Sequence, residues 1–256
     1  RQRQMCIRDS HDSAKLHVSG QARYVDDIPC SSNTLHLAFG LATVAKAQID
    51  HMDLSRVLSS EGVVRVITAQ DLPYENDSSP VAMDEPFLAD GKVHYIGQPI
   101  FFVVAQSHNL ARRAVQNAVI RYREDNPILT IEDALSADSY FEDGPRIYEK
   151  GDAGRAISDA HIRLNGSFSI GAQEHFYLEG QAALAIPSDD IEMVVHSSTQ
   201  HPSEVQHKVA RALGLGMHEV RVEVRRMGGG FGGKESQANS PAIACAIAAW
   251  ATNRPC

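Results

Sequence analysis

The chain has 256 residues, 43% of them hydrophobic, and carries a formal net charge of -8 at pH 7. This length and composition allow a sizeable buried core in one large domain or two smaller ones. The negative charge and the lack of a long basic run argue against nucleic acid or an anionic membrane as partner. Its start, RQRQMCIRDS, lacks the apolar region of a signal peptide, and no apolar run reaches the roughly 20 residues of a membrane helix, so we expect a cytoplasmic protein.

Cysteines are few and widely spaced. Cys6, Cys30, Cys245 and Cys256 form no CxxC pair, and no histidine stands at metal-ligand spacing from them. The sequence therefore predicts neither a disulfide framework nor a zinc site. The cysteine patterns that hold iron–sulfur clusters are missing as well.

Residues 13–126 alternate β-like and helical patterns. The runs TLHLAFGLAT, GVVRVIT and QPIFFVVA, from residues 34, 62 and 98, predict strands, and the last is apolar enough for a buried one. Ser107 is placed to cap a helix over SHNLARRAVQNAV, and VIRYRE from residue 119 predicts a strand that returns beside the others. The shorter VHYI, from residue 93, is also strand-like. Together these patterns predict a small α/β domain.

The rest of the chain divides into a connector and a second domain. Residues 127–158 contain prolines and acids and few apolar runs, which is typical of a connector. From residue 159 to residue 256, strands are predicted over HIRLNGSFSI, QAALAIP, IEMVVHSS and HEVRVEVRRM, which begin at residues 161, 181, 191 and 218. A helix is predicted from Pro202 to Gly214, and a buried helix over SPAIACAIAAWAT at the end.

A glycine-rich loop, GGGFGGKE, joins the last predicted strand to the last predicted helix. Gly228, Gly230 and Gly233 match the GxGxxG of dinucleotide sites, but residues 236–256 lack the acid that would bind the ribose. The loop also matches the start of a P-loop, but Glu235 stands where a hydroxyl must bind Mg²⁺ and would repel phosphate oxygens. Five glycines are more than a simple turn needs, so we expect a ligand against the backbone.

Several neighbouring residues invite a functional interpretation. A structural role is the better hypothesis for Glu174 and His175, and a place at the start of a helix or on the surface for His201. Lys234 either contacts a cofactor phosphate or pairs with a nearby acid. We expect Trp250 to pack in the core.

Longer motifs identify a family. STQHPSEVQHKVARALGL, VRVEVRRMGGGFGGKESQ and AQEHFYLEGQAALAIP resemble the molybdopterin-binding portion of xanthine dehydrogenases, most of all the bacterial type in which this portion is a separate subunit. SGQARYVDDIP, ATVAKAQI and VHYIGQPI resemble the small hammerhead-type α/β domain that precedes it. The resemblance implies an α+β fold: a hammerhead domain followed by the truncated start of a mixed α/β molybdopterin-binding domain. Residues 1–12 have no counterpart.

The resemblance also implies a site. Gln200 matches a glutamine whose amide hydrogen-bonds an oxygen ligand of molybdenum, and Gly230, Phe231 and Gly232 match backbone that contacts the molybdenum–molybdopterin centre. Glu235 matches the carboxylate that hydrogen-bonds a purine ring, where related aldehyde oxidases usually lack an acid. No protein side chain ligates the metal in this family. The general base, a glutamate, is expected beyond Cys256, so we expect a fragment that is inactive alone.

The implied reaction is oxidation of hypoxanthine and xanthine to urate. A Mo–OH oxygen attacks an electron-poor carbon, hydride passes to a sulfido ligand, and electrons leave through 2Fe-2S clusters to FAD and NAD. Those groups would lie on a partner subunit or in a missing N-terminal part, in a higher oligomer of heterodimers. Oxidation of an aldehyde or another N-heterocycle stays open as the alternative, as does a non-catalytic fragment.

Overall fold

The structure is a computed structural model that describes residues 11, 13–141, 144–189 and 192–256. The chain folds into two compact units, one made of Arg1–Asp125 with His175–Cys256 and the other of Asn126–Glu174. All residues of the predicted site that are discussed below belong to the first unit.

Six strands in the N-terminal part form two three-stranded sheets. They are β1 (His36–Leu41), β2 (Ala47–Asp53), β3 (Val63–Thr68), β4 (Lys92–Val93), β5 (Pro99–Ala105) and β6 (Val119–Glu124). In one sheet β5 lies between β1 and β3, and in the other β2 lies between β4 and β6; all these pairs are antiparallel. Residues 100–105 of β5 are buried, as its continuous apolar run predicts for a central strand.

Three helices accompany these sheets: α1 (Ala14–Val18), α2 (Ser55–Leu58) and α3 (His108–Val115). The predicted cap of α3 is confirmed, because Ser107 Oγ accepts a hydrogen bond of 3.3 Å from the backbone N–H of Leu110. The buried face of α3 carries Ala111 and Ala114, which pack into one of the two hydrophobic clusters of the chain.

Residues 183–252 form a third sheet covered by two helices. The strands are β7 (Ala183–Pro187), β8 (Met193–Ser197) and β9 (Val220–Glu223), with β8 antiparallel to β7 and parallel to β9. The helices α6 (Pro202–Leu213) and α7 (Asn239–Thr252) pack against this sheet and share a core with Phe102 and Val104 of β5. As predicted, α6 has Pro202 in its first turn and ends at Gly214, whose φ is 69°.

The unit Asn126–Glu174 contains α4 (Ile131–Ser136) and α5 (Ala153–Asp159), and none of its described residues is buried. The strand predicted over HIRLNGSFSI is wrong: among the described residues, 161–170 form no strand. An alternating pattern produces a strand only where a neighbour completes the hydrogen-bond ladder. The alternate residues Ile162, Leu164 and Phe168 are exposed here.

Other predictions need smaller corrections. VIRYRE is a strand, but it pairs with β2 in the second sheet and does not lie beside β1, β3 and β5. In VHYI the strand β4 ends at Val93, since the chain then turns through Gly97, whose φ is 91°. Of HEVRVEVRRM only Val220–Glu223 is a strand. Trp250 is 54% exposed and does not pack in the core. No helix in the described ranges is long and apolar enough to cross a membrane.

Candidate functional site

Residues 228–235, called the glycine loop below, connect β9 to α7 through an unusual backbone path. Gly229, Phe231 and Gly232 have φ angles of 100°, 49° and 90°, all in the left-handed region. For Phe231, a residue with a Cβ, this conformation costs about 1–2 kcal/mol. Its side chain is nevertheless 75% exposed, so burial of the ring does not offset that strain. Backbone strain of this kind is a common feature of ligand sites.

Gln200 lies three residues after the end of β8 and is hydrogen-bonded to the glycine loop. Its Oε1 accepts hydrogen bonds from the backbone N–H of Gly232 at 2.9 Å and of Lys234 at 3.2 Å. Its own N–H donates to the carbonyl of Lys234 at 2.8 Å. Two donors at Oε1 fix which end of the amide faces the loop. No described residue accepts a hydrogen bond from Nε2, so this NH₂ group remains available on an exposed side chain.

Gly230 allows this close approach because it has no side chain. A Cβ at residue 230 would lie 2.5 Å from Gln200 Oε1, which is shorter than any van der Waals contact. Gly230 is buried, and within the described part of the chain no acceptor faces the backbone N–H of Gly229, Gly230 or Phe231. An unpartnered backbone N–H is rare at a buried residue, so that of Gly230 favours an acceptor supplied by a ligand, whereas Gly229 is half-buried and Phe231 exposed.

A buried ion pair lies beneath the glycine loop. Lys234 Nζ is 2.9 Å from Glu179 Oε2, and the two side chains are 0% and 8% exposed. The same carboxylate oxygen accepts a hydrogen bond of 2.7 Å from the backbone N–H of Gly228. Lys234 Nζ also lies 4.7 Å from the centre of the Tyr177 ring, a cation–π contact. Of the two roles that the sequence left open for Lys234, the structure shows the pairing with an acid.

His175, Tyr177 and Gln181 form one wall of the loop. Gln181 Nε2 donates to the carbonyl of Gly233 and to the hydroxyl of Tyr177, both at 2.9 Å. A Cβ at Gly233 would lie 2.8 Å from the His175 ring and 2.9 Å from that of Tyr177. The two rings stack with centroids 6.1 Å apart. The packing of His175 against the loop is consistent with its predicted structural role.

The structure brings the predicted cofactor residues together. Gln200, Gly230 and Gly232 are in contact, and Phe231 lies between the two glycines with its ring exposed. Glu235 follows directly, is exposed, and has no hydrogen-bond donor or cation at its carboxylate among the described residues. His201 occupies the N-cap position of α6, the predicted helix start.

The sequence did not single out Glu179. It lies 55 residues before Lys234, and no spacing rule connects an acid in an irregular segment to a lysine so far along the chain. In the described ranges no group of three or more histidine, cysteine, aspartate and glutamate residues could hold a metal ion. What the site presents instead is hydrogen-bond donors, the unpartnered N–H groups of the loop and the NH₂ group of Gln200.

Two family models match the chain. The model described as aldehyde oxidase and xanthine dehydrogenase, a/b hammerhead domain, matches residues 19–126, and that of the molybdopterin cofactor-binding domain matches residues 140–256. The second match includes Gln200 and the whole glycine loop.

Similar proteins agree with these models. The chain is 42% identical over 247 residues to a xanthine dehydrogenase of Drosophila subobscura, and 42% identical over 252 residues to a probable aldehyde oxidase 1 of rice, Oryza sativa subsp. japonica. These alignments cover 96% and 94% of the chain but only 18% and 19% of the two relatives. The chain therefore spans about a fifth of their length.

A solved structure shares the fold. The aldehyde oxidoreductase from Desulfovibrio gigas superposes with a TM-score of 0.83 at 28% identity, over 95% of this chain and 29% of that one. The hammerhead and molybdopterin-binding folds predicted from the sequence are thereby confirmed. The chain belongs to the molybdenum hydroxylase family of aldehyde oxidases and xanthine dehydrogenases, and contains that family's hammerhead domain and molybdopterin cofactor-binding region.

Proposed function

We propose that the chain forms part of a molybdenum hydroxylase that oxidises hypoxanthine and xanthine to urate. The observation that carries this proposal is the exposed carboxylate of Glu235, which ends a loop whose buried Gly230 N–H has no hydrogen-bond partner among the described residues. A purine has ring N–H groups that can donate hydrogen bonds to such a carboxylate. An aldehyde offers no such donor.

The residues present fit a molybdopterin centre. Gln200, Gly230, Phe231 and Gly232 would hold it, the glycines through backbone groups and Gln200 through its free NH₂ group. These are hydrogen-bond donors, and they suit a group whose ligands are acceptor oxygens and sulfurs. When bound, the molybdenum–pterin group supplies the two-electron oxidation and the oxygen atom of hydroxylation. The role of the chain itself would be to bind this group and orient it.

Glu235 would act on the substrate. Its carboxylate accepts a hydrogen bond from a purine ring N–H and holds the ring in one orientation in front of the cofactor residues. Negative charge would develop on the ring during hydroxylation, and a Glu235 carboxyl that holds the shared proton would donate it in a hydrogen bond to the ring and stabilise the transition state more than the ground state. An apolar residue there would lack this effect.

The alternative is an aldehyde or other N-heterocycle oxidase of the same family. It has its own support, because a probable aldehyde oxidase of rice is as similar to the chain as a xanthine dehydrogenase of Drosophila. Overall similarity therefore does not separate purines from aldehydes, and we assign that distinction to Glu235.

Electrons must leave the site after each oxidation. We propose that 2Fe-2S clusters and FAD accept them, on a partner subunit or another part of the same enzyme, with NAD as final acceptor and a higher oligomer of heterodimers as the assembly. The chemistry requires an acceptor for two electrons, and the resemblance to the family is what names these groups and this assembly.

Substitution of Glu235 tests the substrate assignment. In the complete enzyme, Glu235→Ala should lower kcat/KM for xanthine tens- to hundredfold, because losing a charge-assisted hydrogen bond costs on the order of 2–3 kcal/mol. The kcat/KM for an aromatic aldehyde should change less than threefold. Steady-state assays with both substrates, on preparations matched for molybdenum content, give the ratio of variant to unaltered kcat/KM for each. An unchanged kcat/KM for xanthine would contradict the purine assignment, and an equal fall for both substrates would show that Glu235 does not act selectively on a purine.

A further inference from the structure

We infer that Glu179 and Lys234 are positioning residues that hold the glycine loop and the Gln200 amide in one arrangement. The inference rests on the proposed function, because the position of these groups matters only if they contact a cofactor. It concerns two residues whose side chains are buried, with exposed fractions of 0% for Lys234 and 8% for Glu179. Neither is expected to touch the reacting atoms.

The side chain of Lys234 controls the start of the loop. Its Nζ binds Glu179 Oε2, and that same oxygen receives the backbone N–H of Gly228. The backbone N–H of Glu179 also donates to the carbonyl of Gly228 at 3.3 Å. Glu179 therefore binds both polar groups of the first loop residue, the N–H through the carboxylate of the ion pair and the carbonyl through its own backbone N–H.

The backbone of Lys234 controls the end of the loop and Gln200. Its N–H donates to Gln200 Oε1, and its carbonyl accepts from the Gln200 N–H and from Thr199 Oγ1, the latter at 3.1 Å. One residue thus connects Gly228, six positions earlier in the chain, to the amide proposed to face the cofactor. A displacement of Lys234 moves all of these groups together.

Burial gives this arrangement its strength. A fully buried ammonium must keep its partner, because removing one member of a buried ion pair leaves the other as an uncompensated buried charge and strongly destabilises the fold. Glu179 Oε1 is itself buried without a hydrogen-bond partner among the described residues, so the carboxylate depends on Oε2 for all its described contacts. Because Oε2 also binds the Gly228 N–H, a substitution of Glu179 or Lys234 should displace the glycine loop.

The chain offers a matched control, the second buried lysine ion pair. Lys208 Nζ lies 2.6 Å from Asp77 Oδ2, and the side chains are 4% and 8% exposed. This pair makes no hydrogen bond to the glycine loop in the described structure. Asp77→Asn and Glu179→Gln are the same change, carboxylate to amide, at equivalent burial.

The experiment measures amide hydrogen exchange in the full 256-residue chain by mass spectrometry. In Glu179→Gln, the peptide covering residues 228–235 should exchange at least tenfold faster, while the peptide covering 193–197 in β8 stays protected. Asp77→Asn, which weakens the fold as a whole, should speed exchange of the two peptides by the same factor and should not single out residues 228–235. In the complete enzyme, Glu179→Gln should also retain less than half of the molybdenum per folded protein that Asp77→Asn retains.

If Glu179→Gln does not fold, the double variant Glu179→Met with Lys234→Met replaces it, because it leaves no buried charge unpaired. In this double variant too, amide exchange should become faster in residues 228–235 and not in β8. Unchanged exchange of residues 228–235, or a rise that β8 shares equally, overturns the inference. The exchange experiment needs no cofactor or substrate, so its outcome is separate from the test of urate formation.

Discussion

Gly230 lies directly against the Gln200 side chain in the candidate site. Because Oε1 already accepts two backbone N–H groups, the Gln200 side chain has one orientation that satisfies them. That orientation leaves Nε2 as the donor that faces away from the loop. The geometry of one amide therefore depends on the lack of a Cβ at residue 230.

Gly230→Ala tests this dependence. The new methyl group would lie 2.5 Å from Gln200 Oε1, so the flexible amide should move and lose its hydrogen bonds to the loop. We expect the melting temperature of the chain to fall by less than about 4 °C, since only a side-chain end is displaced. Molybdenum per enzyme, measured by mass spectrometry, should fall at least threefold.

The control for this prediction is Gly180→Ala, since a Cβ there meets no atom within 4 Å. It should retain the molybdenum of the unaltered enzyme. Equal molybdenum contents in Gly230→Ala and Gly180→Ala would show that the position of Gln200 does not matter for the cofactor.

Site residues that lie within a contiguous motif could be predicted from the sequence. Gln200, Phe231 and Glu235 were identified in motifs whose resemblance to a family could be recognised. Glu179 was missed, because its partner is 55 residues away and their pairing depends on tertiary structure. The exposure of Trp250 was missed for another reason: α7 is apolar on every side, so its pattern does not reveal which face lies outward.

Helix α6, which packs against the third sheet, also forms ion pairs with the segment that precedes β4. Lys208 pairs with Asp77 and Arg211 with Glu75, each at 2.6 Å, and both acids lie in the segment between β3 and β4. Burial alone raises the pKa of the Asp77 carboxyl, but the hydrogen bonds from Lys208 and Ser79 and the lysine charge outweigh it, so its pKa lies below the ordinary value.

The Asp77–Lys208 pair predicts a pH dependence. A carboxyl whose pKa is lowered by folding stabilises the fold above its unfolded pKa of about 4, and this contribution is lost as pH falls through the lower folded pKa. At pH 7, Asp77→Asn should lower the free energy of unfolding by about 3 kcal/mol. Denaturant titrations from pH 7 to pH 3 should show the two proteins converging below pH 4. A difference that is constant over this range would contradict the assigned ion pair.

Elements with a strong local pattern were predicted well. The buried run of β5, the cap of α3 and both ends of α6 follow from apolar continuity, a capping serine, and a proline with a glycine stop. HIRLNGSFSI had the alternation of a strand but no described pairing partner. A strand needs a neighbour that its own sequence does not contain.

At the scale of the whole molecule, the candidate site belongs to one compact unit made of two stretches of the chain. Residues 1–125 and 175–256 share a hydrophobic core, and the backbone of Leu35 donates to the carbonyl of Pro255 at 2.8 Å. The division into residues 13–126, 127–158 and 159–256 stays a prediction from composition. The site itself uses only residues after 174.

The central claim is that the glycine loop with Gln200 holds a molybdenum–pterin centre for purine oxidation. The measurement that tests it most directly is made on the reading frame that encodes this chain, coexpressed with its redox partner. Metal analysis should find about one molybdenum per copy of the chain, and the enzyme should convert xanthine to urate with NAD as acceptor. Molybdenum at that level without urate formation would contradict the purine assignment, and a folded complex without molybdenum would contradict the claim itself.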